Sequence, residues 1–184
     1  MQGKRRFRRL NQRLILEEAV HLLNEGGLEN LSLRKLAERL GVSAPSLYRH
    51  FRDKAALLSV LLDSLFFEVL FSIPAHRDPA EWMNAFGEAI WRKMMEVRDY
   101  GRLVLVTEVS GDQVARTVAV VQSRVAHLDM PGEEALNLQS SIQALLIGWA
   151  AFVHSPFGSS LREFVPIEEL ALRDMRRLIT TYCD

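Results

Sequence analysis

Residues 32–58 read SLRKLAERLGVSAPSLYRHFRDKAALL. Leu33, Leu36, Ala37, Leu40, Val42, Leu47 and Phe51 are its apolar positions. Their spacing gives two short helices one shared buried face. Gly41 stands at the break between them, where a positive φ costs glycine little. A helix, a tight turn and a second short helix make a helix-turn-helix, whose second helix can enter the major groove of DNA.

The second helix is written for exposure. Ser43 is the expected N-cap, its hydroxyl accepting from the backbone N–H of Ser46. Pro45 falls in the first turn, where its missing N–H has no intrahelical partner. Leu47 and Phe51, four apart, point back to the core. That leaves Ala44, Pro45, Ser46, Tyr48, Arg49 and His50 facing outward or sideways. Arginine can read guanine edges, apolar groups can touch thymine methyls, and Tyr, Ser and His can hold phosphates.

Charge agrees with a nucleic-acid-binding end. The chain carries 23 Lys and Arg against 23 Asp and Glu, a net charge of zero. Residues 1–54 nevertheless hold 12 of the bases and only six of the acids. A basic N-terminal third on an acidic remainder is the footprint of such a domain. The run Lys4–Arg5–Arg6–Phe7–Arg8–Arg9 has two readings: an arm that follows phosphates or enters the minor groove, or a solubilising tail.

The motif resembles the TetR family of bacterial one-component transcriptional repressors. The residues that carry the likeness are Ser32 and Arg34, the Ala37–Val42 turn, the Leu47–Phe51 core and Lys54–Leu58 opening the fourth helix. The resemblance covers roughly residues 10–60; in the C-terminal half, Arg98–Leu103 resembles the tetracycline-repressor branch more weakly. It implies that Arg34, Ala44, Pro45, Ser46, Tyr48, Arg49, His50 and Lys54 face DNA, with Ser43 at the head of the same helix. It also implies an all-α fold: a three-helix DNA-binding domain over 1–53, then a helical ligand-binding and dimerisation domain over 54–184.

The remaining sequence divides into helices. The first is expected from Leu10 to Glu25, with Ile15, Ala19, Leu22 and Leu23 inward and Gly26–Gly27 as its stop. The fourth runs from about Asp53 to Ile73, is apolar over more than one face, and is expected between packed layers. Others are expected at Asp78–Val97 and Asp99–Val109, then, after a break at Ser110–Gly111–Asp112, to about Leu128, and at Pro131–His154 and Ile167–Tyr182, with 155–166 as a loop. Leu138, Ile142, Leu145, Trp149 and Phe152 stripe one of the last two long helices. Ile167, Leu170, Ala171, Met175, Leu178, Ile179 and Tyr182 stripe the other. A reader of half a site needs a twin, and the family pairs these helices in a four-helix bundle, so a homodimer on a near-palindromic double-stranded operator is expected.

Compartment and chemistry are bounded by what the sequence holds. No apolar stretch reaches the ~18 residues of a membrane span, and the basic N-terminus lacks a signal-peptide core. Cys183 is the single cysteine, which excludes an internal disulfide and suits a reducing, cytoplasmic setting. The five histidines form no helical metal motif, and no serine lies in a Gly-x-Ser-x-Gly elbow. A regulator rather than an enzyme is expected, with no cofactor and no metal.

Aromatic and methionine content in the second domain suggests a small-molecule inducer site. The family's pocket positions carry over to Leu70, Phe86, Ile90, Val104, Thr107 and Ile147, with Thr107 and Gln143 as orienting polar groups. In the tetracycline branch, a polar residue or a metal-binding histidine stands where Leu70 and Val104 align. Both are aliphatic here, so the resemblance argues for an apolar or aromatic inducer in place of a magnesium–drug chelate. A DNA-binding regulator answering to a partner protein, or acting as an activator, is the alternative.

Overall fold

The computed structural model describes residues 10–183. Among them are ten helices and no strand. The chain divides into two compact units, Met1–Leu57 and Leu58–Asp184.

Unit 1 holds α1 (Gln12–Asn30), α2 (Leu33–Leu40), α3 (Ala44–Tyr48) and the first turn of α4 (Lys54–Ser72). Asn11 caps α1 by accepting from Leu14 N–H at 2.9 Å, a contact worth about 1 kcal/mol. The helix breaks at the Gly26–Gly27 pair expected to end it. Gly27 takes φ 71° and kinks it, and three more residues follow. The Asn30 amide reaches back to the Leu22 carbonyl at 3.2 Å, which ties the added turn down. Ser32 caps α2, accepting from Lys35 N–H at 3.2 Å. Gly41 ends it with φ 65°. There Val42 N–H donates to the Ala37 carbonyl at 3.0 Å and Gly41 N–H to that of Glu38 at 3.2 Å. Those two bonds are a Schellman closure. Ile15, Leu23, Leu31, Leu36 and Leu47 are sealed completely and form the small core.

Arg39 locks α2 onto α1. Its guanidinium donates to Glu18 at 2.8 Å and, in a fork, to both oxygens of Glu25 at 3.0 and 2.8 Å. Glu25 first, then Glu18, raise the Arg39 pKa above its ordinary value by hydrogen bonding to the charged form.

Unit 2 continues α4 and adds α5 (Pro79–Glu96), α6 (Tyr100–Val106), α7 (Gly111–Val125), α8 (Gly132–Val153), α9 (Pro156–Leu161) and α10 (Ile167–Cys183). Side chains at the helix ends set several boundaries. Asp53 accepts from Ala56 N–H at 2.8 Å, Asp78 from Glu81 N–H at 2.8 Å and Ser110 from Gln113 N–H at 3.2 Å. Arg124 on α7 donates to the Ile73 carbonyl just past the end of α4 at 2.7 Å. The segment after α8 is not a plain loop. Ser155 caps α9 by accepting from Gly158 N–H at 3.0 Å.

The core of unit 2 lies where α5, α8 and α10 pack on one another. Trp82 and Phe86 are sealed there and stack with centroids 5.8 Å apart; Phe66 meets Phe86 edge-on at 6.4 Å. Tyr100 is 1% exposed and its hydroxyl has no hydrogen-bond partner; burial pushes its pKa up, so it stays a neutral phenol. On α8 the sealed side is Leu138, Ile142, Leu146, Ala150 and Val153. Leu145, Trp149 and Phe152, expected in the same stripe, are only half-buried on another face. By length and composition, α4 and α8 are long and apolar enough to cross a bilayer. The sequence reading found no such stretch because Asp63 and Glu68 interrupt α4. Leu61, Leu65 and Leu70 of α4 and Leu138, Ile142 and Leu146 of α8 are buried within unit 2.

Candidate nucleic-acid interface and pocket

The reading segment is shorter than the sequence suggests. α3 spans Ala44–Tyr48, and a turn follows in which His50 and Phe51 N–H both donate to the Leu47 carbonyl, at 2.9 and 3.0 Å. Leu47 and Phe51 are buried and hold this segment on the core of unit 1. Pro45, Tyr48, Arg49 and His50 are exposed, Tyr48 by 54%. Ala44 and Ser46 are half-buried beside them.

Ser43 does not cap α3 with its side chain as expected. Its hydroxyl instead shares a hydrogen bond with that of Ser46 at 2.9 Å, and the backbone makes the first bond, Ser46 N–H to the Ser43 carbonyl, at 2.9 Å. Arg49 donates to the Ser46 hydroxyl at 3.2 Å, which draws its guanidinium along the exposed side of the helix. The result is a short polar chain, Ser43–Ser46–Arg49. Arg34 is exposed on α2 and donates to Glu38 one turn on at 3.1 Å. Lys54, expected toward DNA, donates to the Leu28 carbonyl at 2.8 Å. That carbonyl also accepts from Leu31 N–H at 3.3 Å. The basic run at residues 4–9 lies outside the described residues.

Unit 2 contains a pocket of about 250 Å³ between α4, α6, α7 and α8. Leu62, Phe66, Val104 and Val121 give it apolar walls; Val109, Val114 and Val118, each more than a third exposed, edge it. Asp63, Gln113, Gln139 and Gln143 supply polar groups. Of the residues carried over from the family, Val104 and Gln143 line this pocket. Leu70, Phe86 and Ile90 are sealed in the core, with no surface left for a ligand. Thr107 and Ile147 are half-buried outside the lining. The Thr107 hydroxyl donates to the Leu103 carbonyl of its own helix at 2.6 Å.

Two buried amides went unread in the sequence. Gln113 and Gln139 are 7% and 4% exposed. Gln113 accepts from the Ser59 hydroxyl at 2.5 Å and donates to the Ser59 carbonyl at 3.2 Å, so both ends of its amide are fixed on α4. Gln139 donates to Gln143 at 3.0 Å. A signal was present: Gln113 begins the series Gln113, Thr117, Val121, Val125, a stripe at helical spacing with polar residues at one end. Among the described residues no three His, Cys, Asp or Glu side chains gather as a metal site would require.

A short exposed helix clamped on a three-helix base, in an all-helical chain, defines the class: a helix-turn-helix protein. Residues 15–61 match the family described as bacterial regulatory proteins, tetR family. The tetracycline repressor protein class C of Escherichia coli is 33% identical over 114 residues, 60% of this chain and 52% of the relative. The class A protein from transposon 1721, also of Escherichia coli, is 30% identical over 142 residues, 76% of this chain and 65% of the relative. The chain therefore spans about half to two thirds of the length of these relatives. The fold likeness runs further. A crystal structure of a TetR variant from Acinetobacter baumannii AYE, in complex with minocycline, matches with a TM-score of 0.73 at 23% identity, over 94% of this chain and 96% of that one. The chain carries the N-terminal domain of the TetR family, and its body has the helical fold of that family's solved members.

Proposed function

We propose that the protein is a homodimeric cytoplasmic repressor that binds a near-palindromic operator through two copies of the Ala44–His50 segment and releases it when a small molecule enters the pocket of unit 2. The observation that carries this reading is the exposed row Tyr48, Arg49 and His50 on a helix whose other side is sealed by Leu47. Base edges and phosphates are the partners such a row of side chains can take. Support for the pairing comes from α8. Ala144, Gly148 and Ala151 are exposed, Leu145, Trp149 and Phe152 are half-buried, and most of them frame a shallow apolar hollow. Two such faces can meet isologously. Pairing sets the reader separation near one helical turn of DNA, or a multiple of it.

Release follows from the reach of α4. One continuous helix runs from Lys54 to Ser72 and gives Leu62, Asp63 and Phe66 to the pocket. A ligand that fits one position of α4 better than another shifts the population by that difference in affinity and by no more. The test starts with selection of bound duplexes from random DNA at low salt, followed by fluorescence anisotropy with the selected site. Arg49→Ala is expected to weaken binding about tenfold or more, as for a lost base contact, and Tyr48→Ala to weaken it too, with the sedimentation profile unchanged in both. Retention of no duplex, or wild-type affinity in both variants, would falsify the reading.

A further inference from the structure

The pocket of unit 2 holds one formal charge. Of the residues that line it, only Asp63 is ionisable. Its other lining side chains are neutral: hydrocarbon from Leu62, Phe66, Val104 and Val121, hydroxyls from Thr117 and Ser140, and carboxamides from Gln113, Gln139 and Gln143. Gln113 is held by Ser59 at both ends of its amide, and Gln139 donates to Gln143. Asp63 differs. It is half-buried, and among the described residues its carboxylate has neither an ion pair nor a hydrogen bond. A carboxylate on the pocket wall that accepts no bond is open to a charge-assisted contact from a cation brought into the pocket. The volume, about 250 Å³, falls just below the range of roughly 300–1,000 Å³ common for drug-sized ligands. One ring or a fused pair is the size that fits.

We infer that this pocket takes a small amphipathic amine, its ammonium on the Asp63 carboxylate and its ring against Phe66, Leu62 and the valines of α7. The inference rests on the reading of the pocket as the inducer site, and sharpens the expected apolar or aromatic inducer by adding a positive charge. Asp63 and the residue that answers Gln113, Ser59, lie one helical turn apart on α4. An ammonium drawn to Asp63 therefore acts on the helical turn that Gln113 holds.

Three probes of one shape test this on the full-length protein: 1-naphthylmethylamine, 1-naphthylmethanol and 1-naphthoic acid. Binding is read by calorimetry, and operator release by anisotropy. The amine is expected to bind at least about tenfold more tightly than the alcohol, the ordinary worth of one charge-assisted hydrogen bond, and the acid most weakly. Asp63→Asn is expected to erase the preference for the amine. Equal affinities, a preference for the acid, no binding by any of the three, or a preference that survives Asp63→Asn overturns the inference. If Asp63→Asn unfolds the chain, the order of the three probes on the wild-type protein decides alone. Release of the operator by the alcohol as readily as by the amine keeps the inducer site and rejects the charge. Binding of the amine through Asp63 without release keeps the charge and rejects the inducer reading.

Discussion

Phe86→Ala separates a core residue from a pocket residue. The family resemblance puts Phe86 in the inducer site, whereas the structure seals it completely, stacked on Trp82 and edge-on to Phe66. Truncation of a sealed phenylalanine costs about 3–5 kcal/mol, and two aromatic neighbours at about 0.5–1.5 kcal/mol each push the loss toward the upper end. For a chain of this length each kcal/mol lowers the melting temperature by about 2–4 °C, so the melt should fall by roughly 6–20 °C. Trp82, Trp91 and Trp149 all lie in unit 2, so tryptophan fluorescence follows the affected unit alone. Operator affinity measured well below the new melting point should equal that of wild type, because no group of the reading face has changed. A melt displaced by less than about 2 °C, together with a shifted response to inducer, would refute the packing argument and return Phe86 to the pocket.

Two further outcomes are expected. Arg39→Met removes all the hydrogen bonds from Arg39 to Glu18 and Glu25; unit 1 should become less stable in circular-dichroism melts, by a margin that shrinks in molar salt, and an unchanged melt would leave the guanidinium without a structural role. Leu145→Glu places a carboxylate on the half-buried face of α8. Sedimentation at micromolar protein should then show monomer where wild type shows dimer, and a dimer that persists would locate the pairing surface elsewhere.

Elements with local signals were legible in the sequence. Gly41, Asp53 and Asp78 each mark an end through the φ or side-chain acceptor that the end requires, and each boundary stands within a residue or two. Gly26–Gly27 reads as a stop, and the helix does break at Gly27, with a short last turn held past it by the Asn30 amide bonded to Leu22. One breaker misled. Pro156 and Gly158 read as loop, but proline suits a first helical turn and Ser155 caps it. The pocket was less legible. Phe86, carried over from the family, is sealed in the core against Trp82. The cavity is lined by medium side chains, valines and glutamines of α7 and α8, whose identity looks like ordinary surface until two helices face each other.

The division between the units falls after Leu57, inside α4. There α4 runs unbroken from Lys54 to Ser72, and Lys54, fastened to the Leu28 carbonyl, ties its first turn into unit 1.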